Sequence, residues 1–254
     1  MTPSTHRRNR SDSAIWQSVE FGSYTADLSL WEGLAERASG PVVELGAGAG
    51  RVATRLAARG HRVIALDNEL ELLADLERGA REENLAVEAI AADLSAPDEL
   101  ELPVEPGLII GPLHVIQALD PDTRPGLLSR LAGLSAPGAT IALTVVDEST
   151  LLSSGAAASQ ILPDMREIEG WVYSSEPLWV QVSDQVLTVR RLRERVSPEG
   201  RMEREIHDEI LHRVSPERLE EEATGAGVRP SGRRQISSGP NEADSTLVLL
   251  EVPE

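Results

Sequence analysis

The chain of 254 residues contains no cysteine and no lysine, so all 24 of its basic residues are arginine. Without cysteine it cannot form disulfides, use a thiol as a nucleophile or hold zinc through thiolates. Without lysine it cannot form a Schiff base or supply the lysine of a P-loop. Site chemistry at thiols and at lysine amines is therefore excluded.

The sequence also lacks a long apolar run and an excess of positive charge. No stretch of about eighteen consecutive apolar residues occurs, so we expect no transmembrane helix and no membrane partner. Arg7, Arg8 and Arg10 precede no apolar stretch of the signal-peptide type, which favours a disordered tail on a cytoplasmic protein. The net charge of −18 disfavours nucleic acid as a partner, because cationic surfaces hold a phosphate backbone.

A glycine-rich loop follows the first apolar strand. Residues 42–50 read V-V-E-L-G-A-G-A-G, with the acid Glu44 just before alternating glycines. Glycine permits a sharp turn and a close approach to a ligand, and the helix that follows presents free N–H groups. A dinucleotide fingerprint, G-x-G-x-x-G, needs glycine at a position occupied here by Arg51. The pattern predicts a nucleotide-cofactor loop whose spacing disfavours NAD.

Two further apolar strands end in an acid. Residues 61–66 are followed by Asp67, and residues 87–92 by Asp93. The carboxyl ends of parallel strands meet at one edge of a sheet, and ligands bind there. A carboxylate at the tip of the second strand can accept hydrogen bonds from both hydroxyls of a ribose. Taken singly, each acid can equally be a helix N-cap or a solvated turn residue, so the prediction depends on their combination.

The combination resembles the class I S-adenosyl-L-methionine (SAM)-dependent methyltransferases of the small-molecule type, through E-x-G-x-G-x-G, the acid after the second strand and A-D-L at 92–94. The resemblance implies a Rossmann-like sheet of seven mostly parallel strands with an antiparallel C-terminal hairpin. It implies SAM as cofactor and S-adenosyl-L-homocysteine (SAH) as product, with the glycine loop at the methionine moiety, Glu44 favouring its ammonium and Asp93 accepting from the adenine amine. The cofactor-binding residues implied are Glu44, Gly46, Ala47, Gly48, Gly50, Asp67, Asn68, Asp93, Leu94 and Gly111.

Periodicity and turn residues divide the chain into four parts. We expect a tail and short helix over residues 1–22, a SAM-binding core over 23–149, an inserted antiparallel β meander over 150–212, and a helix with a β-hairpin over 213–254. Alternation of strand and helix in the core predicts a parallel sheet, so the fold class is α/β. Residues 150–159 are predicted as a loop or helix. The predicted strands of the meander are Gly170–Tyr173, Leu178–Val182, Gln185–Leu192 and Met202–His207.

Acceptor chemistry is less evident from the sequence. His114 follows the fourth strand, and its ordinary pKa of ~6.5 suits either a general base or a hydrogen-bonding wall residue. Relatives often begin this strand with an acid, but Gly107 stands there, which weakens the match to a standard acceptor motif. The aromatic candidates for the acceptor site are Tyr24, Trp31, Trp171 and Tyr173. Trp31 can equally be helix core, and Trp171 and Tyr173 can equally lie in a homodimer interface.

These patterns favour a methyltransferase that transfers a methyl group from SAM to a small-molecule acceptor by in-line displacement. Because the SAM sulfonium already activates the methyl group, positioning accounts for much of the catalysis and a base is optional. No metal is expected, since His207 and His212 have no partner at ligand spacing. Two alternatives stay open: an NAD-dependent oxidoreductase, and a non-catalytic methyltransferase-like partner subunit.

Overall fold

The computed structural model describes residues 10–146, 162–237 and 243–254. The predicted loop or helix over 150–159 lies outside these residues. The described α-helices are Asp12–Phe21 (α1), Leu28–Ala35 (α2), Ala53–Ala57 (α3), Leu70–Glu82 (α4), Arg124–Leu134 (α5) and Pro216–Gly225 (α6). The described strands are Val42–Leu45 (β1), Val63–Asp67 (β2), Val87–Ala91 (β3), Leu108–Gly111 (β4), Thr140–Val146 (β5), Asp164–Ile168 (β6), Trp171–Val182 (β7), Val186–Val196 (β8), Met202–His212 (β9), Arg229–Ile236 (β10) and Ser245–Glu251 (β11).

Seven strands form one mixed sheet in the order β10-β11-β5-β4-β1-β2-β3. Strands β1 to β5 pair in parallel with one another. Strands β10 and β11 form an antiparallel hairpin that pairs with β5. The predicted parallel core and C-terminal hairpin are therefore confirmed. This order brings the carboxyl ends of β4, β1, β2 and β3 side by side.

Hydrophobic clusters cover both faces of the large sheet. Val43 and Leu45 of β1 belong to a cluster completed by α5 and α6, whereas Val42 belongs to one completed by α2, α3 and α4. Side chains alternate between the faces of a strand, and every residue of β1 is buried, as is typical of a central parallel strand. Packing on both faces of the sheet holds β1, the strand that leads into the glycine loop, in place.

A second, antiparallel sheet has the order β6-β7-β8-β9. It confirms the predicted meander, with two differences. Strand β6 was not predicted, and β7 runs unbroken where two strands were expected. The pairing register of β7 with β8 shifts between Pro177 and Trp179. Proline cannot donate a ladder hydrogen bond, so the strand continues through it as a bulge.

Helix α1 connects the small sheet to the core. Its Trp16 ring meets the Tyr173 ring edge to face, with centroids 5.4 Å apart. Its Glu20 accepts two hydrogen bonds from Arg193, at 2.7 and 2.8 Å. On the other side, Ser11 at its N-terminus binds Asp75 of α4. Within the described ranges, no helix is both long and apolar enough to cross a membrane.

Candidate functional site

The glycine loop turns sharply where β1 ends. Gly46 and Gly48 have φ angles of 62° and 56°, in the left-handed region that glycine adopts at little cost. A Cβ at Gly48 would lie 2.2 Å from the side-chain amide of Gln17, so that side chain would have to move. The Gly50 N–H donates to the Ala47 carbonyl at 2.9 Å and closes the turn. The loop is thus a tight turn whose backbone other groups can approach closely.

Asp67 joins the tip of β2 to the glycine loop. Its Oδ2 accepts a hydrogen bond from the Gly48 N–H at 2.7 Å, and its Oδ1 accepts one from the Glu69 N–H at 2.9 Å. Each carboxylate oxygen can accept a second hydrogen bond, so two ribose hydroxyls can still bind. The neighbouring Asn68 is exposed at the same strand tip. The position predicted for ribose binding is therefore also a structural support of the loop.

Asp93 lies exposed after β3, beyond the tip of β2. Its Oδ1 accepts hydrogen bonds from the Ser95 N–H and hydroxyl at 2.8 and 2.7 Å. These bonds hold the pKa of the Asp93 carboxyl below its usual range. The next residue, Leu94, is buried in the hydrophobic cluster on the α5 side. Leu94 anchors the turn, and Asp93 remains available as an ionised acceptor.

Glu44 is a buried carboxyl without a hydrogen-bond partner on Oε2 among the described residues. Burial raises the pKa of Glu44 to about 8, and the nearby Arg51 charge opposes this shift only in part. A buried acceptor atom without a partner is costly unless a ligand or water satisfies it. A cationic ligand group would both satisfy Oε2 and favour the ionised carboxylate.

Arg51 clamps the N-terminal segment onto the glycine loop. Its guanidinium donates to both carboxylate oxygens of Asp27 at 2.7 and 2.6 Å, and to the Tyr24 carbonyl at 3.1 Å. Its Cζ lies 5.2 Å from the centre of the Tyr24 ring, a cation–π distance. Asp27 also accepts from the Trp31 indole N–H at 2.8 Å. The segment expected to approach the cofactor is thus held by a bidentate ion pair.

A cavity of about 350 Å³ separates α1 from the glycine loop. Gln17 of α1 bridges one side of it, accepting a hydrogen bond from the Ala49 N–H at 2.8 Å. Residues from the core and from α1 share the lining, among them Gln17, Glu44, Gly46, Ala47, Arg51 and Leu113. The glycine loop, the Glu44 carboxyl and the loop after β4 therefore line the same cavity.

A larger cavity, of about 680 Å³, lies between the start of α6 and strand β10. Its lining includes Arg213, Ser215 and Arg234, and none of the residues that the sequence predicts for the cofactor. We assign the cofactor site to the smaller cavity, because the glycine loop lies there together with the Glu44 oxygen that no described residue binds. Volume alone does not identify a site.

His114 lies in a strained turn after β4. Leu113 and His114 both have left-handed backbone angles, with φ of 48° and 64°. The His114 N–H donates to the Thr144 hydroxyl, which donates in turn to the Gly111 carbonyl at 3.1 Å. Burial lowers the pKa of His114 to about 4, and the described residues offer no partner to its Nδ1. The imidazole is therefore neutral near pH 7 and is a weak base.

Gly107 lies at a position without space for a side chain. A Cβ at this position would lie 1.7 Å from the Ser39 carbonyl oxygen. The backbone leading into β1 therefore occupies the space that an acidic side chain would need. Gly111, at the other end of β4, is similarly enclosed, since a Cβ there would lie 2.7 Å from a Leu143 methyl carbon.

Two of the predicted acceptor aromatics are structural. The side chains of Trp31 and Tyr173 are 0% and 1% exposed, so they offer no ring surface to an acceptor. Trp31 packs in the cluster beneath the glycine loop, and Tyr173 packs with Trp16 of α1. Trp171 lies partly buried against the same α1 cluster. In the structure, the meander aromatics Trp171 and Tyr173 pack against α1.

Sequence reasoning missed Gln17 and assigned Arg51 no function. Arg51 directly follows the glycine loop, so its position was visible, but its bond to Asp27 spans 24 residues. The bond from Ala49 to Gln17 spans 32 residues, and no motif marked it. Both residues belong to the site because α1 and the segment after it fold over the loop.

Comparison with known proteins agrees with this geometry. Residues 42–138 match the family described as Methyltransferase domain. The fold is similar to a SAM-dependent methyltransferase from Clostridium acetobutylicum (TM-score 0.71, 13% identity, 94% of this chain and 97% of that one). It is also similar to the sugar N-methyltransferase KedS8 from Streptoalloteichus (TM-score 0.74, 14% identity, 94% and 92% covered). The glycopeptide N-methyltransferase MtfA in complex with SAM gives a TM-score of 0.60 at 20% identity, with 89% and 87% covered. No curated protein sequence matches the chain.

The glycine loop, the acids at the strand tips and the family match together define a class I SAM-dependent methyltransferase domain. Residues 42–138 form a SAM-dependent methyltransferase domain, whose cofactor is S-adenosyl-L-methionine. The match includes Glu44, Asp67, Asp93 and His114, whereas α1 and the small sheet lie outside it.

Proposed function

We propose that this enzyme transfers the methyl group of SAM to the nitrogen of a small-molecule amine. The observation that carries the cofactor part is the buried Oε2 of Glu44, which has no hydrogen-bond partner among the described residues and lies in the cavity beside the glycine loop. SAM supplies a methyl group activated by a sulfonium, so the protein's own task is to bind, orient and exclude water.

Each acid at the carboxyl edge has a separate role toward the cofactor in this proposal. Glu44 would hold the ammonium of the methionine part, since it is the buried carboxyl next to Gly46 and Ala47. Asp67 would hold the ribose with the lone pairs that its two backbone bonds leave free. Asp93 would accept from the adenine amine, because it is exposed and remains ionised.

The proposal of an amine acceptor depends on His114. A hydroxyl acceptor must lose a proton as the methyl group transfers, which favours a base with a pKa near the working pH. The pKa of His114 is instead lowered to about 4 by burial, so it is suited to accept a hydrogen bond and not to remove such a proton. A neutral amine attacks through its own lone pair and needs no base for the transfer. The relatives KedS8 and MtfA are N-methyltransferases, which agrees with this choice.

The first experiment is isothermal titration with SAH, with NADH as a control ligand. We expect saturable binding of SAH and none of NADH, because the loop spacing disfavours a dinucleotide. Binding of NADH would instead support the oxidoreductase alternative. Absence of SAH binding by a folded protein would contradict the assigned cofactor site.

The second experiment tests the acceptor. Small amines and their hydroxyl counterparts of equal shape are offered with labelled SAM, and methylated products are identified by mass spectrometry. We expect turnover of amines only. O-methylation would overturn the acceptor class, and SAH binding without turnover of any acceptor would favour the non-catalytic alternative.

A further inference from the structure

We infer that two copies of this chain associate through β9, edge to edge and antiparallel, so that their small sheets join into one continuous sheet. Strand β9 lies at the edge of the small sheet in the part of the chain that the structure describes. Such an edge presents unpaired backbone N–H and C=O groups to another strand. At 11 residues, β9 is long for an edge that no described strand covers. The inference is independent of the proposed acceptor.

The outer face of β9 carries an exposed apolar row. Met202, Ile206 and Ile210 are 52%, 55% and 54% exposed. Arg204 and Asp208 lie between them on the same face, because alternate residues of a strand share a face. Edge strands that avoid association are commonly blocked by proline, bulges or charged side chains. Strand β9 has no proline and no bulge, but it carries charged side chains, so a partner strand must match these charges.

The order of residues in this row is self-complementary. With a two-fold axis at Ile206, Met202 lies opposite Ile210 of the second copy, and Arg204 lies opposite Asp208 of the second copy. Ile206 then faces its own counterpart at the axis. Opposite charges and apolar pairs directly across an antiparallel ladder are stabilising, whereas like charges are not. The charge pattern therefore selects a second copy of this chain as the occupant of the edge.

Neighbouring registers on the same face are worse. Moving the axis from Ile206 to His207 would place Glu205 opposite Glu209 of the second copy and Arg204 opposite Ile210. Moving it to Glu205 would place that carboxylate opposite its own counterpart. Like charges and an unpaired arginine oppose both shifts. On the outer face, the register centred on Ile206 is the one that pairs opposite charges with each other and apolar residues with each other.

Existing ion pairs support this arrangement. Within one chain, Arg204 already binds Glu194, and Arg190 binds Asp208 at 2.6 and 2.5 Å. Association would extend these pairs into a row of alternating charges across the axis. Exposed ion pairs add little affinity, so the backbone ladder and the apolar row would drive association and the charges would set the register.

On the inner face of β9, this register places two carboxylates opposite each other. Glu203 lies opposite Glu209 of the second copy there, and Glu205 lies opposite His207. The charge of Glu203 is compensated within its own chain, because Arg195 binds it at 2.6 Å. The repulsion between Glu203 and Glu209 is therefore reduced.

The absence of cysteine allows a direct test of the register. Opposite residues of an antiparallel pair have Cα atoms about 4.5–5.5 Å apart, within the reach of a disulfide. The variant Ile206→Cys is expected to cross-link with itself under mild oxidation. Met202→Cys alone is not, because its two copies would lie roughly 26 Å apart along the strands. A mixture of Met202→Cys and Ile210→Cys is expected to cross-link.

Mass in solution tests association itself. Sedimentation of the unmodified chain is expected to give twice the chain mass of 27.4 kDa. Ile206→Asp should give a monomer, because it places two carboxylates at the axis. Met165→Asp is the matched control, since Met165 is 61% exposed on β6 at the opposite edge and should leave the dimer intact. Equal circular dichroism spectra and melting temperatures would show that both variants fold.

The following results would overturn the inference. One is a monomeric unmodified chain at concentrations where the purified protein remains soluble. Another is a dimer that Ile206→Asp leaves intact, or in which Met165→Cys cross-links with itself and Ile206→Cys does not. Cross-linking of Met202→Cys with itself would contradict the register.

Discussion

Three carboxylates of similar chemistry follow or occupy neighbouring strands, and their surroundings give them different properties. Glu44 is buried beside an arginine and its pKa is raised to about 8. Asp67 supports two backbone N–H groups. Asp93 is exposed, and hydrogen bonds from Ser95 hold its pKa below the usual range. Different substitutions therefore test them separately, with SAH and with methylthioadenosine, which contains the adenosine part without the amino acid.

Asp67→Asn is expected to weaken binding of SAH and methylthioadenosine equally, by about 1.5–3 kcal/mol, since both ligands contain the ribose. Titration calorimetry measures both affinities. Because Asp67 also accepts from the Gly48 N–H, the melting temperature of the variant serves as the folding control. If only the SAH affinity fell, Asp67 would not be the residue that binds the ribose.

Glu44→Gln is expected to weaken the binding of SAH and to leave the binding of methylthioadenosine unchanged, because only SAH has the ammonium group. Below the raised pKa of about 8, the free protein holds this carboxyl protonated, so binding of the ammonium must release a proton. SAH affinity should therefore rise with pH toward about 8, by up to roughly tenfold per unit.

Calorimetry in buffers of different ionisation enthalpy checks the proton release directly. The unmodified enzyme should release a proton near pH 7, and Glu44→Gln should not. Equal pH dependence in the two proteins would show that another group titrates.

His114→Asn tests the proposed role of the imidazole. Since burial lowers the pKa of His114 to about 4, the imidazole is neutral near pH 7 and does not titrate there. The pH dependence of methyl transfer near neutrality should then follow the amine acceptor and be the same in the variant. If the methyl-transfer rate of the unmodified enzyme changes around pH ~6.5 and this change disappears in the variant, His114 is instead a general base.

At the scale of elements, α1 is held by its bonds to the small sheet. Burial raises the pKa of Glu20, but the hydrogen bond and charge of Arg193 outweigh it and hold the pKa below its usual range. A lowered pKa stabilises the folded state at pH values above the usual pKa of the carboxyl. This stabilisation is lost as the pH falls from the usual pKa through the lowered one.

Glu20→Gln should weaken the docking of α1 by about 1.5–3 kcal/mol, because it removes charged hydrogen bonds. Hydrogen exchange of the α1 amides measures how firmly α1 is docked. The protection of the α1 amides should fall, and the protection of the β1 amides should stay unchanged. Asp12→Asn is the matched control, since Asp12 also binds an arginine of the small sheet, Arg195, but is exposed. Equal losses in both variants would argue against a special role of the buried pair.

The sequence predicts best those elements whose signals are local. Strands β1 and β2, the glycine loop and the acids at their tips follow from apolar runs, glycine spacing and turn residues within about 30 positions. Contacts such as Glu20 with Arg193 span 173 residues and leave no local pattern. The left-handed backbone of His114 and the continuation of β7 through Pro177 depend on packing. The cofactor half was therefore predictable, and the seating of α1 was not.

At the scale of the whole molecule, the lack of lysine is matched by bidentate arginine pairs. Arg51 with Asp27, Arg193 with Glu20 and Arg124 with Glu222 each use two guanidinium nitrogens. A planar guanidinium fits a carboxylate in this way, and an ammonium does not. In this strongly acidic chain, these pairs connect segments that are far apart in sequence.

The Arg124 and Glu222 pair links α5 to α6, and hence the core to the chain that returns from the small sheet. Both side chains are nearly inaccessible, at 2% and 3% exposure, and their contacts measure 3.0 and 3.1 Å. Both helices pack in one hydrophobic cluster with the central strands, so we expect the core and α6 to unfold together. Glu222→Ala should lower the free energy of unfolding by about 3–5 kcal/mol, because it leaves a buried guanidinium unpaired.

Urea denaturation followed by circular dichroism measures this, and the midpoint should fall while the slope stays unchanged. Replacing both partners, Arg124→Met with Glu222→Leu, should recover most of the loss, since apolar residues of similar size leave no buried charge. A separate early transition in Glu222→Ala would show that α6 unfolds on its own. In that case, the C-terminal region would have to be treated as a unit that docks on the methyltransferase core.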